Sequence, residues 1–329
     1  MALYRSHGLT LRVNSLDENI ALSIDHLLQD LSWVRNDTFD AEPSLCLNVG
    51  LEDQRVQAPA TARELFRADG YVGLEVGEDF YFTDGSSIFR HQAATAEGDI
   101  SLSVSFLGKP ILHQRIFWGF AILKLLRGLG IFGLHAAGVT RNGRGVLILG
   151  SSGSGKSTLT IGLIRLGWSY LSDDTLLLRD NPNSVEALAF RKHFFINADA
   201  AGSYTDFTLG DELPDSYGGR KRKVQIEQLY PAQYKPSCDP KVLLFSQIVP
   251  AAASEARPMD RITAFENLLT QSGPRLFDQK TMGRQLEVLK RLLQQTTCYE
   301  LRAGLDLYRD PAILMQLLND TVGGERWLD

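Results

Sequence analysis

The sequence predicts an α/β protein with a smaller N-terminal α/β domain over residues 1–109 and a larger domain with a mixed sheet over residues 110–329. Two observations predict this class. Runs with strand periodicity alternate with runs of helical periodicity along the chain. In addition, the apolar strand Val146–Leu149 leads directly into a glycine-rich loop and then a helix. The break at Gly108–Pro110 sets the expected domain boundary.

Bulk composition is that of an ordinary globular protein. Hydrophobic residues make up 44% of the chain and charged residues 22%, and the net charge is −5. This acidic balance predicts no nucleic-acid partner. Cys46, Cys238 and Cys298 are far apart, which disfavours a disulfide framework or a zinc site and fits a reducing, cytoplasmic compartment. The N-terminal residues lack the apolar core of a signal peptide.

The N-terminal domain shows short elements of both kinds. Ala21–Leu31 has helical periodicity, and Ala60–Phe66 shows a weaker helical pattern. Tyr71–Val76 and Asp79–Thr83 are predicted to be paired strands, and Ile100–Phe106 alternates apolar and small polar residues as a strand does. This domain is a candidate for binding a substrate or a partner.

The most apolar stretch of the chain is Ile111–Leu134. Arg115, Lys124 and Arg127 interrupt it, whereas a spanning helix needs roughly 20 mostly apolar residues with few charges. We therefore predict a buried amphipathic helix over Ile111–Leu126 and no membrane span. Contact with a membrane is the minor alternative.

An Asn-Gly pair at positions 142–143 predicts a two-residue hairpin turn. The strand entering the glycine-rich loop would then pair antiparallel with the strand before it. With this turn Arg141 lies opposite Arg144, and counting back along the ladder places His135 opposite Gly150. A slip of one residue would turn the side chains to the other face but would leave His135 near the loop.

The remaining elements follow from periodicity and turn signals. The predicted elements are a helix over Lys156–Leu166, strands over Trp168–Leu171 and Thr175–Leu178, a strand pair over Val185–Ile196, strands over Val242–Val249 and Cys298–Leu301, and helices over Arg261–Leu269, Gln285–Gln294 and Ala312–Leu318.

The segment Gly150–Ser157 matches G-x-x-x-x-G-K-[ST] in full and lies between a strand and a helix, as this phosphate-binding motif requires. Its backbone N–H groups and the start of the next helix favour phosphate oxygens. We expect Lys156 to bind the β and γ phosphates of ATP and Ser157 to bind Mg²⁺. The predicted nucleotide-binding set is Gly150, Ser151, Ser152, Gly153, Ser154, Gly155, Lys156, Ser157 and Thr158.

Two acidic residues, Asp173 and Asp174, follow the next predicted strand. An acid in this position can accept the proton of an acceptor hydroxyl or help to hold the metal. The alternative is a turn with solvated aspartates. His135 is a further candidate because of its predicted ladder position, where it could orient an aspartate or balance charge. The alternative is a packed histidine in a strand.

Two basic clusters have no fixed role in the sequence. One interpretation of the run Arg220–Lys223 is a solvated edge. The other is a mobile lid whose basic side chains bind phosphate or an acidic substrate. The cluster Arg191–His193 follows the strand predicted after the aspartates. Function and simple solvation are equally compatible with both.

The stretch His135–Leu178 resembles the C-terminal catalytic domain of HPr kinase/phosphorylase. That family has a histidine in a strand, a hairpin, this loop motif, a short helix and an Asp-Asp pair in the same order. The resemblance implies a P-loop fold related to phosphoenolpyruvate carboxykinase. It implies that Asp174 acts as the base, with Asp173 and His135 in support and Ser157 and Asp173 as metal ligands.

The chain departs from this family after the Asp-Asp pair. The Glu-x-Arg-Gly signature is absent, and Ala-Phe-Arg-Lys-His at 189–193 stands in its place. Glu186 or Asp199 is the candidate replacement for the glutamate. The late catalytic arginine has no clear counterpart, and Arg191, Arg220 or Arg222 is the candidate. The chain better resembles divergent HPr kinase-like proteins, some of which phosphorylate peptides, than an enzyme acting on HPr.

The sequence therefore predicts a kinase that uses ATP and Mg²⁺ to phosphorylate a hydroxyl group. The predicted acceptor is the hydroxyl of Ser or Thr in a protein or peptide. Three alternatives stay open. They are an ATPase or nucleotide-dependent switch, a non-catalytic ATP-binding protein, and a kinase for a small metabolite. No LSGGQ-like signature is present, which disfavours transporter-type ATPases. A homo-oligomer is compatible with the sequence.

Overall fold

The computed structural model describes the chain apart from residues 16, 37–41, 53–56, 69, 93–94, 192, 198–208, 215–219, 225, 273–278 and 322–329. The contacts divide the chain into two compact units. The first unit comprises Met1–Ile131 and Arg275–Thr281, and the second comprises Phe132–Pro274 and Met282–Asp329. Each unit is a mixed α/β structure.

The first unit is built on a nine-stranded mixed sheet in the order β3-β1-β2-β4-β9-β8-β7-β6-β5. Its elements are β1 Ala2–Ser6, β2 Leu9–Ser15, α1 Glu18–Asp30, β3 Val34–Arg35, β4 Leu45–Glu52, β5 Arg63–Ala68, β6 Tyr71–Val76, β7 Asp79–Thr83, β8 Ile88–His91, β9 Glu97–Ser103 and α2 Ile111–Gly128. The neighbours β2, β4 and β9 run parallel, and the other pairs are antiparallel. The predicted pairing of β6 with β7 is confirmed.

Helix α2 packs its aromatic side chains on this sheet. The rings of Phe120 and Phe82 stack at 3.9 Å between centroids, and Tyr71 stacks on Phe82 at 5.0 Å. Each aromatic side chain removes a large apolar area from water, so this contact assigns α2 to the first unit. The sequence placed the boundary after Lys109, whereas the contacts divide the chain after Ile131.

The charges of α2 are accommodated within the first unit. The ammonium of Lys124 lies 4.7 Å from the centre of the Phe80 ring, a cation–π contact, and Arg115 pairs with Asp30. In the part of the chain that the structure describes, no helix has the length and apolarity needed to cross a membrane.

The second unit contains a larger mixed sheet and a separate three-stranded sheet. Its elements are β10 Ile131–Leu134, β11 Ala136–Arg141, β12 Arg144–Leu149, α3 Lys156–Arg165, β13 Ser169–Ser172, β14 Leu176–Asp180, β15 Val185–Ala189, β16 Phe194–Asn197, β17 Leu209–Pro214, β18 Arg220–Val224, α4 Ile226–Leu229, β19 Ser237–Ile248, β20 Glu255–Pro258, α5 Arg261–Gln271, α6 Gln279–Gln295, β21 Thr297–Ala303, α7 Asp306–Arg309 and α8 Ala312–Thr321. The larger sheet has the order β10-β14-β15-β19-β12-β11-β13, with β21 beside β19 and β20 beside β21. The small sheet has the order β16-β18-β17.

Strand β12 lies in the core of the larger sheet. Its neighbours are β11, which is antiparallel, and β19, which is parallel. Because strand side chains alternate between faces, Leu147 and Leu149 pack toward α5 and α6, while Val146 and Ile148 pack toward α3 and α8. Burial on both faces fixes the position of the strand end, and the glycine-rich loop begins there.

The segment predicted as a weak helix, Ala60–Phe66, is not helical. Residues from Arg63 onward form β5, which pairs antiparallel with β6. Cross-strand hydrogen bonds and side-chain contacts outweigh the short local helical pattern. The strand predicted over Ile100–Phe106 ends at Ser103 and is followed by a 3₁₀ turn.

The two strands predicted over Val185–Ile196 exist but do not pair with each other. Strand β15 pairs with β14 and β19 in the larger sheet, whereas β16 pairs with β18 in the small sheet. The basic run Arg220–Lys223 is likewise not a loop but most of β18. The glycines before it lie outside the described residues.

Candidate active site

The glycine-rich loop, defined here as Gly150–Ser157, connects β12 to α3. Gly150, Gly153 and Gly155 have φ angles of +149°, +82° and +92°, values that side-chain-bearing residues rarely adopt. A Cβ atom on Gly150 would lie 2.4 Å from the Ser154 hydroxyl and 2.6 Å from the Ser246 carbonyl oxygen. The loop therefore requires glycine at its first position, and it closes tightly against β19.

Lys156 is the first residue of α3 and is 7% exposed. Its ammonium donates hydrogen bonds to the carbonyl oxygens of Gly150, at 2.6 Å, and Ser151, at 3.1 Å. It also lies 3.1 Å from Nε2 of His135. Burial lowers the pKa of Lys156, and the positive charge of Lys221 adds to this effect, while Asp174 and Asp173 oppose it. The positive charge of Lys156 is thus held within the glycine-rich loop and is largely shielded from water.

His135 lies in the break between β10 and β11. The ladder pairs Arg141 with Arg144 and continues to Ala136, so His135 follows at the position that the hairpin predicts. Its backbone N–H donates to the carbonyl oxygen of Gln271, at 2.8 Å. The predicted hairpin register is confirmed, and it explains why His135 reaches the glycine-rich loop.

The imidazole of His135 links Lys156 to Asp174. Its Nδ1 lies 3.3 Å from Oδ1 of Asp174, and its Nε2 faces the Lys156 ammonium. An ammonium can only donate, so this network assigns Nε2 as the acceptor and places the ring proton on Nδ1. Burial lowers the pKa of His135, and Lys156 and Arg191 add to this, which favours the neutral ring.

Asp173 is buried at the end of β13, with 2% exposure. Its Oδ2 accepts hydrogen bonds from the Ser157 hydroxyl, at 2.9 Å, and from the Phe195 backbone N–H, at 3.2 Å. Its Oδ1 is buried and has no hydrogen-bond partner among the described residues. Burial raises the pKa of Asp173 to about 6. A buried carboxylate with an open oxygen is costly unless a cation approaches it.

Asp174 differs from its neighbour because it is surrounded by positive charge. Its Oδ2 accepts a hydrogen bond from Nη1 of Arg191, at 2.9 Å, and its Oδ1 faces His135. Burial would raise the pKa of Asp174, but the positive charges of Arg191 and Lys156, together with the nearby His135 ring, outweigh that effect and lower it. Two adjacent carboxyl groups thus have pKa values shifted in opposite directions, which is a pattern typical of catalytic sites.

Ser172 is a site residue for which the sequence carries no signal. Its buried hydroxyl accepts hydrogen bonds from the backbone N–H groups of Phe190, at 3.0 Å, and Arg191, at 2.8 Å, and donates to the Arg191 carbonyl oxygen, at 2.9 Å. These three bonds fasten the turn after β15 to the end of β13. They hold Arg191 where its guanidinium reaches Asp174.

Within the basic run it is Lys221 whose charge acts on the site. It lowers the pKa of both Lys156 and Asp174. Because strand side chains alternate, Lys221 projects from the face of β18 opposite to Val224, whose side chain is buried in a core cluster. The predicted candidates Arg220 and Arg222 lie on the Val224 face of the strand. Within this run, the charge that shifts pKa values in the site is therefore that of Lys221, a residue that the sequence did not single out.

The structure does not bring Glu186 into the site. Its carboxylate accepts hydrogen bonds from Arg179, at 2.8 Å, and Asn181, at 3.1 Å, toward the far end of β14. This contradicts its candidacy as the replacement glutamate, because the strand register carries it away from Asp173. Asp199, the other candidate, lies outside the described residues. Ser152 is exposed in the loop and Thr158 is half-buried in the first turn of α3.

Comparisons with known proteins show a likeness in structure but none in sequence. No protein-family model matches the chain, and no curated protein matches it. Among solved structures, the Hpr(Ser) kinase/phosphatase from Coxiella burnetii is similar over 57% of this chain and 94% of that chain, with 12% identity and a TM-score of 0.29. This is a distant structural likeness.

Proposed function

We propose that the second unit uses ATP and Mg²⁺ to phosphorylate the hydroxyl group of a serine or threonine in a peptide or protein. The observation that carries this proposal is the pair of carboxylates beside the glycine-rich loop. One faces Ser157 and keeps an open oxygen, and the other is held by positive charges. The resemblance in sequence order from His135 to Leu178 supports the acceptor class.

The glycine-rich loop fits a triphosphate. Its glycines allow backbone N–H groups to point toward the concave side of the loop. Helix α3 begins at Lys156, so the positive end of its dipole also faces this side. The Lys156 ammonium would exchange its loop carbonyl partners for β and γ phosphate oxygens. The neutral His135 ring would keep that ammonium in place.

Ser157 and Asp173 fit Mg²⁺. The Ser157 hydroxyl and the open Oδ1 of Asp173 are hard oxygen donors, and Mg²⁺ in phosphate sites is commonly held by one or two protein oxygens together with water and phosphate. A bound Mg²⁺ would supply positive charge to the phosphate oxygens. The hydrogen bond from Phe195 fixes the carboxylate of Asp173 for this contact.

Asp174 would accept the proton of the acceptor hydroxyl. In the reaction the acceptor oxygen bonds to the γ phosphorus, the bond from that phosphorus to the bridging oxygen of ADP breaks, and the proton passes to Asp174. The lowered pKa keeps Asp174 ionised. Arg191 would release Asp174 and turn toward the phosphate, since a guanidinium binds both groups well. His135 would keep the Asp174 carboxylate in position while Arg191 moves.

Stoichiometry tests the proposed function. The full chain would be incubated with γ-labelled ATP, Mg²⁺ and a library of serine- and threonine-containing peptides, and ADP, free phosphate and phosphopeptide would be counted. We expect ADP release to depend on peptide and to equal phosphopeptide formed, and a Lys156→Ala variant to release none. Peptide-independent ADP release that matches free phosphate would instead indicate an ATPase.

Lys221 gives a prediction specific to this site. Replacing Lys221 with alanine removes a positive charge that acts on Lys156 and Asp174, so we expect kcat for transfer to fall by roughly tenfold to a hundredfold, with the affinity for ATP little changed. The pKa of Asp174 would rise, which shifts the acid limb of the pH–rate profile upward. Steady-state kinetics across pH measures both effects.

Arg220→Ala is the matched control for this prediction, because Arg220 begins the same strand and is exposed. We expect it to leave kcat and the pH profile unchanged. Equal losses in the two variants would reduce the role of Lys221 to a general effect of surface charge.

A further inference from the structure

A row of amide and carboxylate side chains crosses the parallel strands of the first unit. Nδ2 of Asn14 donates to Oδ1 of Asn48, at 2.9 Å, and Nδ2 of Asn48 donates to Oδ1 of Asp99, at 2.9 Å. The three residues are direct neighbours on β2, β4 and β9. Because Asp99 can only accept, the row fixes the orientation of both amides. We call these three residues the amide row.

The amide row borders a shallow trough of about 410 Å³. Gly50 lies two residues after Asn48 on the same face of β4, and Ser101 is its neighbour on β9. A Cβ atom on Gly50 would meet nothing within 4 Å. Glycine inside a strand often marks a place where a ligand approaches the backbone closely. The trough thus has a backbone floor and hydrogen-bonding walls.

The trough lies on one face of the sheet and crosses the three parallel strands β2, β4 and β9. Of the side chains that line the trough, that of Asp99 carries a charge. Arg90 is the neighbour of Asp99 on β8 and pairs with Asp79, at 2.6 Å. The row offers alternating donors and acceptors and ends in one carboxylate. The free hydrogen-bonding capacity of the amides and the carboxylate fits a ligand with several hydroxyl groups better than an anionic one.

We propose that the amide row and the Gly50 floor form a binding site for a saccharide. Each sugar hydroxyl both donates and accepts, so adjacent hydroxyls match the paired N–H and C=O groups of the two asparagines. The Asp99 carboxylate accepts from two hydroxyls, and the absence of a side chain on Gly50 lets a ring lie flat on the backbone. The same chemistry is presented by a free sugar and by a glycan chain. The site is independent of the proposed phosphoryl transfer.

Saturation-transfer NMR tests this site on the full chain, with a panel of neutral mono-, di- and oligosaccharides at millimolar concentrations. We expect transfer to at least one member of the panel. Transfer to monosaccharides assigns a free sugar, and transfer to oligosaccharides alone assigns a glycan. If no member of the panel shows transfer, or if a neutral Gly-Ser-Asn peptide binds in place of the sugars, the proposal is overturned.

Two substitutions at Gly50 give a matched pair. Gly50→Ala and Gly50→Leu share the loss of backbone freedom, but only leucine fills the trough, and neither meets a neighbour at Cβ. We expect Gly50→Ala to weaken binding a fewfold and Gly50→Leu to abolish it, with the same thermal midpoint in both. Asn48→Ala should weaken binding by about tenfold, since it removes the centre of the row. Undiminished binding in Gly50→Leu would place the sugar elsewhere and overturn the site.

Discussion

Replacing Asp174 with asparagine is expected to lower the rate of phosphoryl transfer by about 10³-fold while leaving the affinity for ATP nearly unchanged. The asparagine side chain keeps the size of the aspartate and one oxygen for Arg191 and His135, but it cannot accept a proton. The loss would therefore fall on kcat. Single-turnover transfer and nucleotide binding by calorimetry measure the two quantities separately.

Asp180→Asn is the control for this variant. Asp180 also pairs with an arginine, Arg291, but it lies at the far end of β14. We expect it to leave transfer and binding unchanged. Transfer at close to the normal rate by the Asp174→Asn protein would show that another group takes the proton, and the assignment of the base would be wrong.

Replacing Asp173 with asparagine is expected to change stability and metal binding in opposite directions. Burial raises the pKa of Asp173 from 3.8 to about 6, so the folded protein favours the protonated carboxyl. The contribution of this group to stability is present below pH 4 and is lost as pH rises through about 6. In the variant no such loss occurs. Relative to wild type, its free energy of unfolding should therefore gain about 3 kcal/mol between about pH 4 and pH 8.

The comparison between the two pH values isolates the titration, because any fixed cost of the amide cancels. Chemical denaturation at a series of pH values measures the gain. In the same variant the magnesium dependence of ATP affinity should disappear, since the amide offers no charge to the cation. A stability difference that does not vary with pH would mean that Asp173 has a normal pKa in the folded protein.

The hairpin is the part of the site that the sequence specifies best. A two-residue Asn-Gly turn sets the register, and this register places His135 beside the loop. The loop conformation is equally local, since Gly150, Gly153 and Gly155 take the backbone angles that their spacing allows. Lys156, Ser157 and the two aspartates are near in sequence and remain near in space.

The other site residues depend on pairings that no local pattern encodes. Lys221 reaches the site because β18 pairs with β16, whose Phe195 N–H bonds to Asp173. The position of Arg191 depends on three hydrogen bonds to Ser172. Glu186 was a candidate from its distance along the chain, but one strand register sends it to the opposite end of β14. Sequence periodicity predicts that a strand or helix exists, but the pairing of strands in the sheet determines which residues become its neighbours.

The hydrogen bond from His135 to Gln271 has a mechanical consequence. Gln271 is the last residue of α5, so its carbonyl group belongs to the helix end that has no partner within the helix. Ile262 on the first turn is 75% exposed. The hydrogen bond therefore ties the end of α5, whose first turn exposes Ile262, to the histidine that lies beside Asp174.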